Sequence, residues 1–426
     1  RGRRQHSNAA KIKRNGGRTA EIGTARLDPA LVSATRFGET YARKVTGLDG
    51  ERFLGQGSFG RVVLVERKAT KDTLALKIIA KRKRSGGDEK LLQSLRTEIA
   101  ALRRCGAHEN VLQLVDVYDQ STKLMLVIEL ATGGDLLAWA TSGENPFTER
   151  HAASACFQVL TAVAFLHENR VAHRDIKPDN VLVRDRRSFV LKVCDFGCSK
   201  ILPPSHLKLI DDDADRAILM ESFVGTKVYA APEILRHEPY DLLVDEYSTG
   251  VLLALLLTGR HPLSDVEMDT NLALASCDVL HLIDFRAPEW NDVNADATKL
   301  TKALANCDVD RRLSAADALI NYPWLGDGNV DSTAPLDEDV LERLRRIRVD
   351  RMQALALRSA LKSGSGAAEA FLKDADAAFD ALDADRTGLV RRGEVRTLAD
   401  ASGLSPADLD LVFEHADLEG NGVVSR

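Results

Sequence analysis

"HRDIKPDN" at His173–Asn180, followed by "CDFG" at Cys194–Gly197, is the stretch from which the rest of the chain can be read. It gathers two carboxylates (Asp175 and Asp195), a carboxamide (Asn180) and an ammonium (Lys177) into a short span. Such a set supplies a group to orient an incoming hydroxyl and oxygen ligands for Mg²⁺, which are the parts phosphoryl transfer needs. Upstream, "GQGSFGRV" spaces Gly55, Gly57 and Gly60 so that backbone can close over phosphates where a Cβ would block the approach. Alone that pattern is a weak signal, often only a tight turn. "LALK" then ends at Lys77, inside what reads as the third strand, where an ammonium reaches phosphate oxygens. Glu98, on a following helix marked by Leu92, Leu95, Ile99 and Leu102, is its natural partner.

Around this core the texture changes twice. "RVVLVERK", "TLALKIIA" and "KLMLVIEL" are β-branched and aliphatic runs that predict a small hairpin-built sheet. From Arg150 onward the patterns are helical, ending near Leu325, and "GDGNVDSTAP" reads as a linker. The first 40 residues carry a cluster of arginines and lysines with few large apolar residues and no period, so a disordered basic arm is expected there. A solvated tail is favoured over a nucleic-acid or anionic-lipid role. No specific nucleic acid is expected, and membrane association is left open.

Taken in order, these segments resemble a eukaryotic protein kinase domain over residues 50–325. "AAPE" at Ala230–Glu233, "DEYSTG" at Asp245–Gly250 and Arg312 extend the match. The resemblance implies an α+β, two-lobed protein kinase fold, with a small β-rich N-lobe over about 50–130 and a large helical C-lobe over about 131–325. It implies ATP and Mg²⁺ as cofactors and protein substrates. Asp175 would accept the substrate hydroxyl, Asn180 and Asp195 would hold Mg²⁺, and Lys77, paired to Glu98, would sit on the phosphates. Adenine would lie between Leu54, Val62, Ala75 and Leu182, with hydrogen bonds to the backbone at Glu129 and Ala131. Gly55, Gly57 and Gly60 would cover the phosphates, Ile128 would be the gatekeeper, and Asp135 would touch ribose or a basic substrate residue. Lys177 and Thr226 resemble the serine/threonine class. Glu233 and Arg312 are expected to form a buried structural ion pair. Cys198, where Leu is usual, and Lys227, where Pro is frequent, depart from the pattern. Arg174, preceding Asp175, implies an anion in the loop before Glu233, and Glu221 or phosphorylated Ser222 could supply it.

The C-terminal region carries a second chemistry. "DADRTGLVRRGE" sets Asp383, Asp385 and Thr387 at alternate positions, Gly388 at the turn, the Leu389 carbonyl next and Glu394 at twelve, the pattern of a Ca²⁺ loop. Arg386, Arg391 and Arg392 oppose those carboxylates, so affinity toward the weak part of the sensor range is expected. Arg391→Asp should tighten calcium binding, as read by calorimetry. Asp417, Glu419 and Asn421 begin a second loop whose twelfth position falls beyond Arg426, so that loop is expected to be cut short. Paired loops would set Val390 opposite Val424 through short strands.

Between the two regions, residues 336–363 combine an apolar stripe at Leu341, Leu344 and Ile347 with arginines on the other faces, a basic amphipathic helix of the partner-seeking kind. An ordinary packing helix is the other reading. The order of kinase domain, basic junction and EF-hand pair (367–426) resembles the calcium-dependent protein kinases of plants and protists. In that family the junction blocks the substrate cleft until the EF-hand domain, loaded with Ca²⁺, captures it. A catalytically idle scaffold, or an active kinase with purely structural EF-hands, are the alternatives.

Composition sets the outer bounds. The 426 residues and 44% hydrophobic share leave room for two or three folded domains, and a net charge of -5 gives no global pull toward polyanions. Val251–Leu257 is too short for the ~20 apolar residues of a membrane span and reads as a buried helix. The six cysteines lack zinc spacing, which favours a reducing, cytoplasmic setting, with nuclear or peripheral membrane placement left open. With no initiator Met, N-terminal acylation cannot be judged.

Overall fold

The computed structural model describes residues 27, 29–43, 53–57, 60–81, 87–143, 146–185, 187–202, 227–236, 238–260, 283–326, 335–348, 389–391 and 423–425. The N-terminal lobe is a six-stranded antiparallel sheet. Its strands are β1 (Tyr41–Arg43), β2 (Phe53–Gly57), β3 (Gly60–Arg67), β4 (Thr73–Ala80), β5 (Leu114–Asp119) and β6 (Lys123–Ile128), in the order β1-β3-β4-β6-β5 with β2 also on β3. Alternation along the strands divides them between two faces, as a period of two requires. Met125 and Val127 join Val63, Val65, Leu74 and Leu76 on one face, while Leu124 and Leu126 join Ile79 on the other. Helix α1 (Gly87–Cys105) covers the second face through Leu95 and Ile99.

Two expectations are corrected here. Of the basic arm expected over residues 1–40, residues 1–26 lie outside the described residues, while Leu27 and residues 29–40 pack onto the lobe, Leu27 being buried as is Tyr41. The Ser33 N–H donates to the Val117 carbonyl at 2.8 Å and Ser33 Oγ accepts from the Val117 N–H at 3.0 Å, so the exposed edge of β5 is satisfied. Phe37, Tyr41 and Tyr118 pack edge to face or stacked, with ring centroids 5.5–6.2 Å apart. Three scattered apolar residues carry no period, yet a sheet edge and an aromatic cluster suffice to hold them. In consequence Lys77 lies on the fourth strand, not the third, because Tyr41–Arg43 already pairs with Arg67, Glu66 and Val65.

The larger lobe is helical. Asp135 caps α2 (Leu136–Ala140) by accepting from the Ala138 N–H at 2.8 Å, and Thr148 with His151 forms a capping box on α3 (Glu149–Glu168). Short hairpin strands follow: β7 (Val171–Ala172) with β10 (Lys200–Ile201), and β8 (Val181–Asp185) with β9 (Ser188–Val193). Helix α4 (Val244–Thr258) is buried along its whole length, which fits the uninterrupted apolar run. It packs against α3 and α5 (Ala295–Leu304), with α6 (Ala315–Asn321) beyond. Glu233 and Arg312 form the expected buried pair, with Arg312 Nη1 and Nη2 at 2.6 and 3.0 Å from the two carboxylate oxygens. Among the described residues no helix is long and apolar enough to cross a membrane.

Helix α7 (residues 338–348) opens the junction. Its apolar stripe is not free: Val340 and Leu344 are buried in one cluster with Leu137, Tyr247, Val251 and Leu255, and Ile347 packs against it. Arg343 caps the end of α4, its Nε donating to the Thr258 carbonyl at 3.0 Å, and Arg348 Nη1 donates to Thr141 Oγ1 at 3.4 Å. The packing reading therefore holds for these residues, and the remainder of 336–363 lies outside those described. In the C-terminal region β11 (Leu389–Arg391) pairs antiparallel with β12 (Val423–Ser425), Val390 facing Val424 as the loop spacing predicts.

Candidate active site

The loop from His173 to Asn180 is folded by its own side chains and by α4. Asn180 Nδ2 donates to the Asp175 carbonyl and to Asp175 Oδ2, both at 2.8 Å, and Lys177 Nζ lies 2.7 Å from the same Oδ2. With its nitrogen so committed, Asn180 offers Oδ1 as its remaining polar atom. The Asp175 N–H donates to His173 Nδ1 at 3.3 Å, so the His173 proton resides on Nε2, which donates to the Cys194 carbonyl at 2.9 Å. The Cys194 N–H in turn donates to the Asn180 carbonyl at 2.9 Å. These two bonds tie the loop to the strand that delivers Asp195. Asp195 adopts a left-handed backbone (φ 62°), a conformation that strains a non-glycine residue, and it starts the turn in which Oδ1 accepts from the Gly197 N–H at 3.3 Å.

Across from this loop, Lys77 Nζ lies 2.9 Å from Glu98 Oε1, both side chains largely buried. Burial works against the Lys77 ammonium, but Glu98 and then Asp195 outweigh it and hold its pKa above the ordinary lysine value. Lys77 is thus a fixed cation facing the Asp195 carboxylate. The helix bearing Glu98 is also fastened by Ser94, whose Oγ donates to the Gly197 carbonyl at 2.7 Å. Sequence reasoning missed Ser94, because a lone serine on a helix carries no pattern.

The residues expected around adenine come from three directions. Ala75 faces Ile128 across β4 and β6, and Leu182 on β8 forms an isolated bridge with Asp135. Gly133 is needed where the connecting segment passes over β8: a Cβ there would meet Val183 Cβ at 2.7 Å. The Glu129 N–H is committed to the Gln113 carbonyl at 2.9 Å, so its carbonyl is what the backbone offers a ligand. Its carboxylate pairs with buried Lys192 at 2.9 Å, a contact sequence reading did not single out. Asp135, expected at ribose, already uses Oδ1 as the α2 cap. Leu54 is exposed and Val62 half-buried.

A family model described as "Protein kinase domain" matches residues 48–325. The chain belongs to the protein kinase family. Kinship with this family raises ATP and Mg²⁺ as the cofactors whose fit the site can be tested for. The residues fit that pair of cofactors: an anchored cation, the Asp195 carboxylate and the Asn180 amide oxygen are the donor set that a magnesium–phosphate group requires. Among relatives, calcium-dependent protein kinase 9 of Arabidopsis thaliana is 30% identical over 375 residues, 87% of this chain and 65% of that one. Calcium-dependent protein kinase 19 of Oryza sativa subsp. japonica is 30% identical over 402 residues, 93% of this chain and 70% of the relative. Calcium/calmodulin-dependent protein kinase type 1 of Caenorhabditis elegans is 35% identical over 296 residues, 69% and 78% of the two chains. This kinase therefore spans about two thirds of the length of its plant relatives. The structure titled "Titin kinase and its flanking domains" superposes with a TM-score of 0.59 at 23% identity, covering 72% of this chain and 51% of that one, a likeness of fold.

The expected regulatory positions Ser222 and Thr226, with Glu221, lie outside the described residues, as do the expected calcium ligands Asp383, Asp385, Thr387, Glu394, Asp417, Glu419 and Asn421. Leu389 alone of that set is described, in β11. Arg174, expected to await an anion, has a left-handed backbone (φ 67°) and donates to the Cys198 carbonyl and the Tyr240 hydroxyl, both at 2.6 Å. Burial pushes the Cys198 thiol up to about 11 and the Cys194 thiol higher still, so neither is a reactive thiolate at neutral pH.

Proposed function

We propose that the chain is a calcium-regulated serine/threonine kinase that transfers the γ-phosphoryl group of ATP to protein hydroxyls. The observation that carries this reading is the convergence of Asp175, Lys177 and Asn180 on one carboxylate oxygen, opposite the Lys77–Glu98 pair and Asp195. Asp175 orients the incoming hydroxyl and takes its proton, while the Lys177 ammonium beside it balances charge that develops on the transferred group. Lys77, kept in place by Glu98, holds phosphate oxygens. Mg²⁺, when bound by Asn180 and Asp195, supplies neutralisation of the phosphate charge. Lys177 favours serine and threonine by its resemblance to that class.

Calcium regulation draws support from the names of the plant relatives and from the β11–β12 pairing, which sets the two loop sequences side by side. Helix α7 seated on the C-lobe is the low-calcium arrangement on this reading, with the calcium loops competing for its stripe. The test is phosphorylation of serine, threonine and tyrosine peptides by the complete gene product, in calcium and in chelator. Transfer to tyrosine alone, or equal rates in both conditions, would count against the proposal.

The seat of α7 provides its own check. Gly259 ends α4 at φ 67°, and a Cβ there would lie 2.6 Å from the Val340 carbonyl and 2.9 Å from Arg343 Cβ. Gly259→Ala is expected to unseat α7 and raise the activity in chelator toward the calcium value, at a cost of about 1 kcal/mol to the α4 terminus. A ratio of the two activities unchanged from the parent protein would contradict it.

A further inference from the structure

Beneath the catalytic loop lies an ionic cluster that the phosphoryl-transfer residues do not touch. His167 Nε2 on α3 is 3.0 Å from Asp245 Oδ2, and His167 Nδ1 is 3.3 Å from Glu246 Oε1, both acids in the first turn of α4. Asp245 is fully buried and Glu246 nearly so. An imidazole with a carboxylate at each ring nitrogen is placed to donate from both when it carries both protons. Asp245 passes this order to the catalytic loop: Oδ2 accepts from the His173 N–H at 2.8 Å and Oδ1 from the Arg174 N–H at 2.7 Å. Those bonds hold Arg174 in its left-handed conformation immediately before Asp175. Glu246 Oε1 also accepts from the Ala315 N–H at 3.0 Å, which fixes the acid against the start of α6. Among the described residues Glu246 Oε2 is buried without a hydrogen-bond partner, so this carboxylate is retained at a desolvation cost.

We infer that Glu246 is a positioning residue for phosphoryl transfer, acting through the His167 ring it contacts and through Asp245 on the backbone that presents Asp175. The inference rests on the proposed kinase activity for its kinetic arm alone. The charged groups facing His167 are Asp245 and Glu246; His173 and Arg174 reach the cluster through Asp245 by their backbone N–H groups. Burial disfavours the imidazolium, but Glu246 and Asp245 overcome it and hold the pKa up at about 10. A raised value means that the ordering is fully present below the ordinary histidine pKa and is lost only as pH rises through about 10. The parent protein therefore has no step from this group between about pH 6 and 9.

The experiment uses the full chain with calcium, Mg-ATP and a basic serine peptide, comparing parent, Glu246→Gln and His167→Gln from pH 6 to 9. Glu246→Gln keeps the shape but lowers the His167 pKa into that range. Its kcat should be near parental at the acid end and fall by about tenfold as pH rises, with the KM for ATP unchanged. His167→Gln should lower kcat without any new pH step. A Glu246→Gln profile superposing on the parent, or a parental kcat in His167→Gln should the first variant fail to fold, overturns the proposal. Histidine side-chain NMR decides independently of turnover. The His167 ring should be protonated at pH 8 in the parent and neutral in Glu246→Gln, and a neutral ring in the parent overturns the inference. If the parent transfers no phosphate, the functional reading fails while this ring measurement still judges the cluster.

Discussion

Asp175→Asn is expected to lower kcat by about 10²–10⁴-fold while leaving the KM for ATP within about twofold, because a general base contributes on that order and the nucleotide is held elsewhere. In the structure Asp175 Oδ2 receives both Lys177 Nζ and Asn180 Nδ2. An asparagine retains an acceptor oxygen for these donors, so the loop keeps its shape and the deficit reports proton transfer. Peptide phosphorylation under saturating ATP measures it. A variant within about tenfold of the parent would remove Asp175 from the role assigned to it. A comparable loss in ATP affinity would instead indicate that the substitution disturbed Asn180 or Lys177.

The second large effect concerns stability. The Arg312 side chain is wholly buried and that of Glu233 almost so, and their two-oxygen contact is reinforced by Arg312 Nε on the Asn306 carbonyl at 2.8 Å and Nη1 on the Leu243 carbonyl at 3.1 Å. The guanidinium also lies 5.1 Å from the Tyr247 ring centroid. Replacing one partner leaves the other charge buried and unmatched, so Glu233→Gln should cost about 3–5 kcal/mol in denaturant unfolding of the catalytic domain. A cost below about 1 kcal/mol would mean that the pair is solvated in a way its burial does not suggest. The pair joins the segment that carries Glu233 to the end of the C-lobe, so its loss should loosen the seat of α7 as well. Val340 and Leu344 share their cluster with Tyr229, Ala231 and Ile234.

The catalytic elements were legible because each is a short run with its own spacing. Gly55 to Gly60, Lys77, Glu98, Asp175 to Asn180 and Asp195 each carry residue types suited to phosphate or hydroxyl, in the order that resembles protein kinases, and the buried apolar run of α4 needed only its composition. Even Val390 opposite Val424 could be read, since two loops of equal design align by counting. The N-terminal segment was misjudged for the opposite reason. Leu27, Phe37 and Tyr41 are too sparse for a periodic signal, and their burial depends on a sheet edge 75 to 92 residues away along the chain.

What the sequence determined by itself, then, is the chemistry on offer: which groups could orient a hydroxyl, hold phosphate and ligate a cation. Contacts between single side chains on separate elements were decided only by tertiary structure. His167 meeting Glu246, Ser94 meeting Gly197, Lys192 meeting Glu129, and Arg343 meeting the end of α4 leave no trace in spacing. Their physical basis is packing: once α3, α4 and α7 bury their apolar faces, the polar groups brought inside must find partners or bear the cost of desolvation.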